Sequence, residues 1–323
     1  NQPGCYRNVK DTTVIAQFKV VKNRISKFLF SKTKKDIYFL AWTTTPWTLP
    51  SNTALAVGKK IDYLLIETLN RYTGKAITVI VAKDLANKYF STENGALKFE
   101  DFKVGDKNIP YIICSEFKGS DLEGLKYEQL LQYAQPEDGD AFRVIFGDFV
   151  TTEDGTGIVH IAPSFGADDY RVAKQNGIGS LTLVDKQGKF VDAVTDFARM
   201  YVRDDYYMEG EEKPKLPVDV QIVIKLKEEN LCFKAEKQEH SYPHCWRTDK
   251  PILYYPLDSW FVKTTEYKER MIELNNSINW KPKSTGEGRF RKWLENLMDW
   301  NLSRSRFWGT PIPIWKSEDG DTE

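Results

Sequence analysis

The sequence predicts a β-rich α+β fold, a barrel-like domain decorated with a few helices. Three observations carry that prediction. Eight short β-prone segments separated by turn residues lie between Thr13 and Ile161, only three stretches show helical patterning, and the βαβα alternation of a doubly wound sheet is absent. A length of 323 residues suits about two domains. Seven of the nine tryptophans (Trp246, Trp260, Trp280, Trp293, Trp300, Trp308 and Trp315) lie beyond Cys245, so the character of the chain changes near residues 235–250. Domains are therefore expected at 1–240 and 241–323.

Strands are expected at 13–21, 37–42, 53–57, 63–68, 76–82, 111–116, 143–146 and 157–161. Arg71, Tyr72, Thr73 and Gly74 between two of them suggest a hairpin. Helical patterns cover 83–90, 168–176 (stopped by Gly177 at a C′ position) and 218–230, where Val218, Ile222 and Leu226 recur every fourth residue.

Apolar residues make up 41% and charged residues 28% of the chain, the composition of a globular protein able to bury a core, which excludes a disordered tail or a collagen-like fibre. No apolar run reaches the ~18–20 residues of a membrane span. Lys+Arg and Asp+Glu balance at 46 each, so any binding of nucleic acid must come from a local patch. Cys5, Cys114, Cys232 and Cys245 are too scattered for a disulfide framework and point to a reducing, cytoplasmic setting. A start at Asn1 without a signal-peptide pattern, and a polar end, are expected of a piece of something longer.

Two segments carry residue types suited to chemistry at a carbonyl group. In Trp42-Thr43-Thr44-Thr45-Pro46-Trp47-Thr48-Leu49-Pro50-Ser51-Asn52 a strand runs into a cluster of hydroxyls flanked by indoles. Pro46 and Pro50 fix φ and push the preceding residues toward extended geometry, which predicts a rigid loop and not a helix. Hydroxyls and an amide held that way can orient a water or stabilise an oxyanion. The same residues would equally serve as a Ser/Thr-rich turn. In the second segment, Gly155 and Gly157 allow close backbone approach, a short strand carries His160, and a Pro-containing loop leads to Asp168 and Asp169 at a helix start. Capping and the helix dipole account for one acid there, leaving the other to face a cleft and bind a cation such as an ammonium group. A histidine at a strand end is either structural or part of the site.

Two further features are weaker. Cys232, His240, His244 and Cys245 match no standard metal-ligand spacing, so no metal is expected. Between Trp280 and Thr310, seven basic residues (Lys281, Lys283, Arg289, Arg291, Lys292, Arg304, Arg306) face three acids (Glu287, Glu295, Asp299), a local charge of +4 with aromatics interleaved. Such a patch can meet phosphates and stack on bases, or pack its aromatics against another domain.

Together these residues resemble the editing, or connective-peptide insertion, domain of class I isoleucyl-tRNA synthetases. The threonine-rich peptide at 42–52, the segment Lys118-Gly119-Ser120-Asp121-Leu122-Glu123-Gly124-Leu125-Lys126-Tyr127, and the peptides at 155–163 and 166–170 fall in the family's order. So do His240 to Arg247 and Asp299 to Trp315, which resemble the return toward a catalytic core. Valine and leucine branches carry Thr-Thr-Arg-Pro in the first peptide, whereas Thr45 and Trp47 fit the isoleucine branch. Phe165 stands where many members have His, a change expected of a eukaryotic cytoplasmic-type branch. Thr248 replaces the second cysteine of a Cys-Trp-Arg-Cys half-site, which again implies no zinc.

The resemblance implies a β-barrel editing domain with decorating helices, followed by a segment, partly disordered beyond about residue 250, that returns to a Rossmann-like core outside this chain. His-x-Gly-His and Lys-Met-Ser-Lys-Ser are missing, so ATP and Mg belong to the parent enzyme and no cofactor is expected here. The implied partner is the 3′ end of tRNA(Ile) carrying a misattached amino acid, with valine as product and a monomeric chain. A missing methylene changes binding by only about 1–3 kcal/mol, a limit for which this enzyme family is the standard illustration, so a second, hydrolytic sieve is required. By the same resemblance Asp169 would hold the substrate ammonium, His160 would border the side-chain pocket, Thr43, Thr44, Thr45 and Asn52 would place water or the oxyanion, and Trp47 and Thr48 would wall the pocket. The alternatives are an editing site for another amino acid and a non-hydrolytic tRNA-binding module.

Overall fold

The computed structural model describes residues 4–304, 309–315 and 317–318. Its strands are β1 (Tyr6–Lys19), β2 (Ile37–Thr43), β3 (Ala54–Val57), β4 (Asp62–Leu69), β5 (Ala76–Ala82), β6 (Tyr111–Lys118), β7 (Arg143–Phe146), β8 (Ile158–Ile161), β9 (Cys232–Pro243), β10 (Phe261–Val262) and β11 (Trp300–Asn301). The helices are α1 (Lys27–Phe30), α2 (Lys83–Ala86), α3 (Ala167–Gln175), α4 (Val218–Glu228), α5 (Lys268–Ser277) and α6 (Arg291–Glu295). The described residues divide into two compact units between Tyr255 and Pro256. Position 240, at the expected domain boundary, lies within β9, where His240 pairs with Val9.

In the first unit β2 and β5 are almost continuously apolar and buried on both faces, as central strands must be. Nine strands follow the order β6-β4-β5-β2-β8-β3-β7, with β1 on the remaining edge of β2 and β9 on β1. β4 and β5 form the expected hairpin, from Tyr63↔Ala82 to Leu69↔Ala76. Gly74 closes it at φ +69°, a conformation that costs a residue without Cβ little. The largest core cluster gathers Phe18, Phe39, Trp47, Leu55, Leu65 and Val144 with Ile222 and Leu226 of α4. Among the described residues no helix is long and apolar enough to cross a membrane.

The sheet curls into a half-barrel, and the closed barrel expected from the sequence is not shown. β6 and β7 end the strand path without pairing to each other, and single bridges, Lys126↔Arg143 and Val20↔Tyr127, span the space between β7 and β1. The chain between β6 and β7 is punctuated by Pro136, Gly139 and three Asp residues at 121, 138 and 140, which do not sustain a ladder.

In the second unit α5 and α6 are joined through a wide turn at Thr285–Phe290, and β10 pairs with β11. Buried Asn275 donates to Gly286 O at 3.0 Å and accepts from Trp280 Nε1 at 3.0 Å, which ties this unit together. Trp293 and Trp300 are exposed, while Arg306 and Trp308 lie outside the described residues.

The Tyr63 hydroxyl links two backbones, accepting from Gly58 N at 3.1 Å and donating to Gly157 O at 2.6 Å in a fully buried position. Tyr63→Phe leaves both groups unpaired and should cost about 1–3 kcal/mol, read as a lower urea midpoint at unchanged slope.

Candidate active site

β2 ends at Thr43, and the chain then enters a single 3-10 segment, Pro46–Ser51, where the prolines had predicted a loop. The prolines permit it: Pro46 occupies the first helical position, where an N–H would have no partner. The turn joins three of the four threonine hydroxyls. Thr45 N donates to Thr43 Oγ1 at 3.1 Å, and the Thr43 and Thr45 hydroxyls are 3.2 Å apart. Thr45 Oγ1 lies 3.4 Å from Thr48 Oγ1. Thr44 stands half-exposed beside them.

His160, on β8, meets this chain from the other side. Thr48 Oγ1 donates to Thr45 O at 2.8 Å, so the imidazole Nε2, 2.9 Å away, supplies the proton of the Thr48–His160 bond. Asn52 fixes the other ring nitrogen. Its Oδ1 accepts from the Tyr127 hydroxyl at 2.7 Å and its Nδ2 donates to Ala54 O at 2.9 Å, which orients the amide. Nδ2 therefore faces His160 Nδ1 as a donor, at 3.4 Å. The neutral Nε2–H tautomer satisfies every partner, whereas a doubly protonated ring would set donor against donor. Burial acts in the same direction and pulls the imidazole down to about 4.

These elements border a cleft of about 370 Å³ lined by Trp42, Thr43, Thr44, Phe149, Thr151 and His160, together with the 154–159 backbone turn. That size falls in the range of small-ligand sites. Clefts of about 410 Å³ beside Lys225 and about 560 Å³ beside Tyr201 are larger, yet neither holds a joined hydroxyl–imidazole set.

The two adjacent acids separate as their positions demand. Asp168 is exposed and pairs with Arg171, which also reaches Asp148. Asp169 is half-buried, and its Oδ2 accepts the Ala162 N–H at 2.9 Å, tying the start of α3 to the end of β8. A Cβ on Gly166 would fall 2.9 Å from Asp169 Cγ, so glycine leaves room for the carboxylate. Burial, opposed by the Ala162 amide, pushes Asp169 up to about 6.

The structure thus brings Thr43, Thr45, Thr48, Asn52 and His160 into one network and sets Thr44 at its mouth. Asp169 is held at Ala162, the residue that follows β8, and does not line the same cleft. Trp47 turns inward, 3% exposed, against Phe165 at 5.0 Å, and the indole on the cleft wall is Trp42. Tyr127 and Asp219, which accepts the Trp47 N–H at 2.8 Å, were not singled out from the sequence as site residues. Tyr127 closes a recognised motif without any signal that its hydroxyl faces Asn52, and Asp219 lies off the apolar stripe of α4. His240 lies 3.1 Å from Asp11, and among the described residues no group of three or more His, Cys, Asp or Glu is arranged to hold a metal ion.

The family model for class I tRNA synthetases (I, L, M and V) matches residues 7–323. The chain belongs to that family. This synthetase chain is 59% identical to the isoleucine–tRNA ligase of Cytophaga hutchinsonii and 56% identical to that of Bacteroides fragilis, in each case over 100% of its own length and 30% of the relative's. It therefore spans less than a third of the curated relatives it matches. Relatives from Bacteroides, Porphyromonas and Clostridium are likewise bacterial, so the eukaryotic-type lineage expected from Phe165 is not supported. The editing domain of the P. knowlesi cytosolic leucyl-tRNA synthetase superposes with a TM-score of 0.47 at 12% identity, covering 70% of the synthetase chain and 97% of that domain.

The imidazole assignment has a direct test. An unfolded His titrates near 6.5 and His160 near 4, so the stability its neutral ring contributes is complete above pH 6.5 and is lost as pH falls toward 4. Its ring resonances in NMR should stay in the Nε2–H form from pH 8 down to about 5. A midpoint near 6.5 would remove the tautomer assignment.

Proposed function

We propose that this chain carries the post-transfer editing site of an isoleucyl-tRNA synthetase, which hydrolyses the ester of valyl-tRNA(Ile) to valine and tRNA. The observation that carries the reading is the joined Thr43–Thr45–Thr48–His160–Asn52 network at the edge of a cleft. Its relatives' name, isoleucine–tRNA ligase, supplies the tRNA and the amino acid to be guarded. The four free cysteines and the family suit a cytoplasmic setting with tRNA as partner.

In this reading the terminal adenosine presents its aminoacyl ester to the cleft. Water attacks the carbonyl carbon, the bond to the ribose oxygen breaks, and one proton goes to that oxygen while the other leaves to solvent. The Thr43 and Thr44 hydroxyls at the cleft wall place the water or hold the developing oxyanion, which works best when donors are fixed beforehand. Thr45, Thr48 and Asn52 act behind them by fixing the turn. His160 shapes the wall and is no general base, since Nε2 donates to Thr48 and Nδ1 faces an amide donor. A tRNA hydroxyl then orients the water. Asp169 stands outside the cleft lining, so the reading requires the aminoacyl end to extend past His160 toward Ala162, where the carboxylate takes the α-ammonium group, whose positive charge favours the ionised form.

Two outcomes test the reading. Asp169→Ala should lower deacylation of valyl-tRNA(Ile) by about 100-fold or more at unchanged fold, and full activity in that variant would overturn the role of Asp169. Because the substrate-free carboxylate sits near 6, kcat/KM for valyl-ester hydrolysis should be flat above pH 7 and fall about tenfold per unit below 6. Equal hydrolysis of isoleucyl- and valyl-tRNA(Ile), or of neither by the full-length protein, would sink the second-sieve assignment.

A further inference from the structure

Asp219 stands in the first turn of α4, 8% exposed, and reaches across 172 positions of sequence to the threonine-rich turn. A carboxylate placed there only for the helix dipole would stay in water, as Asp168 does at the start of α3. Asp219 instead gives up its hydration, and burial pushes it up to about 7 against the opposing charge of Arg203. What it gains is one contact, the Trp47 N–H on Oδ1 at 2.8 Å.

That amide is the donor the turn cannot satisfy for itself. The first turn of a 3-10 segment leaves its leading N–H groups without internal acceptors. Pro46 has none to offer, and Thr48 N donates back to Thr45 O at 3.0 Å, so Trp47 N is left over. The next residue, Thr48, is the one that holds His160 at 2.9 Å. A shift of the Trp47 peptide therefore moves the hydroxyl that joins the turn to β8.

The charge that favours the Asp219 carboxylate is Arg203, which is itself fixed by other partners. Arg203, 7% exposed, donates to Asp11 Oδ2 at 2.8 Å and lies 4.4 Å from the Tyr242 ring centre, and His240 Nε2 approaches the same Asp11 oxygen at 3.1 Å. Arg203 and Asp11 thus form an ion pair between β1 and the segment before α4, close enough to Asp219 for the guanidinium charge to favour its carboxylate.

We propose that Asp219 is a positioning residue for the hydrolytic site: its carboxylate holds the Trp47 amide and thereby sets the threonine-rich turn against His160. The proposal rests on the editing reading above for its catalytic consequence, while the anchoring of the turn is measurable by itself. In the full-length protein, Asp219→Ala should speed hydrogen exchange in the 43–52 peptide and leave β4 and β5 protected. Its kcat for valyl-tRNA(Ile) hydrolysis should fall on the order of tenfold to hundredfold with KM little changed, as expected when a reacting geometry is loosened and binding is not. Asp219→Asn keeps an acceptor oxygen for the Trp47 N–H and should recover most of both effects, which loss of fold stability alone would not predict. Unchanged exchange at 43–52 in Asp219→Ala, or an Asn variant as impaired as the Ala variant, overturns the proposal. If the unsubstituted protein hydrolyses no ester, the functional reading fails, and loop exchange still decides whether Asp219 holds the turn.

Discussion

One strand, β2, shares its backbone hydrogen bonds among three neighbours, and the site exists because they cannot all follow it to its end. β1 takes one edge from Tyr38 to Thr43. The other edge is shared in sequence: β5 runs parallel beside residues 37–39, and β8 takes over at Trp42. The exchange happens where Ala82 N bonds Thr156 O at 2.9 Å. Gly157 makes it possible, with φ +73° and a position where a Cβ would lie 2.3 Å from that of Ala82. Beyond the exchange β2 is free to turn away, and its next residues are the threonines. A cleft at the point where sheet neighbours part is the usual place for a ligand in open sheets, and here it follows from one glycine and one change of partner.

Burial works on every titratable group of this region in the same sense, toward neutrality. It lowers His160 to about 4, and raises Asp169 to about 6 and Asp219 to about 7. An imidazole locked between a hydroxyl and a carboxamide has no lone pair or proton to trade with a substrate, so it serves as a strut. A buried polar network of this kind stabilises only when every member is paired, and Tyr127 completes it from beneath Asn52. Asp169 differs in that its Oδ2 is tied across the turn to the Ala162 N–H while no side chain pairs with the carboxylate among the described residues. A cationic group arriving there would favour ionisation, which makes the carboxylate a better ligand for an ammonium ion than its substrate-free state suggests.

The elements that sequence patterning could find were those buried by side-chain chemistry. All eight expected strands appear, the hairpin closes at Gly74, and α3 and α4 fall within two residues of their expected bounds. β9 was missed for a physical reason. Its run Glu236-Lys237-Gln238-Glu239 has no apolar face, and it pairs with the polar residues Lys10 to Thr13 of β1. A main-chain ladder with little burial leaves no hydrophobic period to read. The 3-10 turn was missed because two prolines argue against an α-helix and are silent about a shorter one. Asp219 was beyond reach of pattern altogether: a polar residue off the stripe of α4 reads as solvated until the fold places Trp47 N above it.

The same limit explains why Phe165 misled. Read as a substitution in an active-site peptide, it suggested a lineage. In the structure Phe165 is 8% exposed, 5.0 Å from the buried Trp47 ring and 6.4 Å from Tyr255. Its position is set by the short turn Pro163–Phe165, whose Phe165 N bonds Ala162 O at 2.9 Å, next to the Ala162 amide that Asp169 holds. The side chain therefore packs against the buried indole of the threonine-rich turn and, among the described residues, is not one that lines the cleft. An aromatic ring there adds burial and an edge-to-face contact worth about 0.5–1.5 kcal/mol to a turn that Asp219 already fixes from the other side. The ring at this position therefore packs under the site against the neighbouring indole, a role that carries no information about lineage.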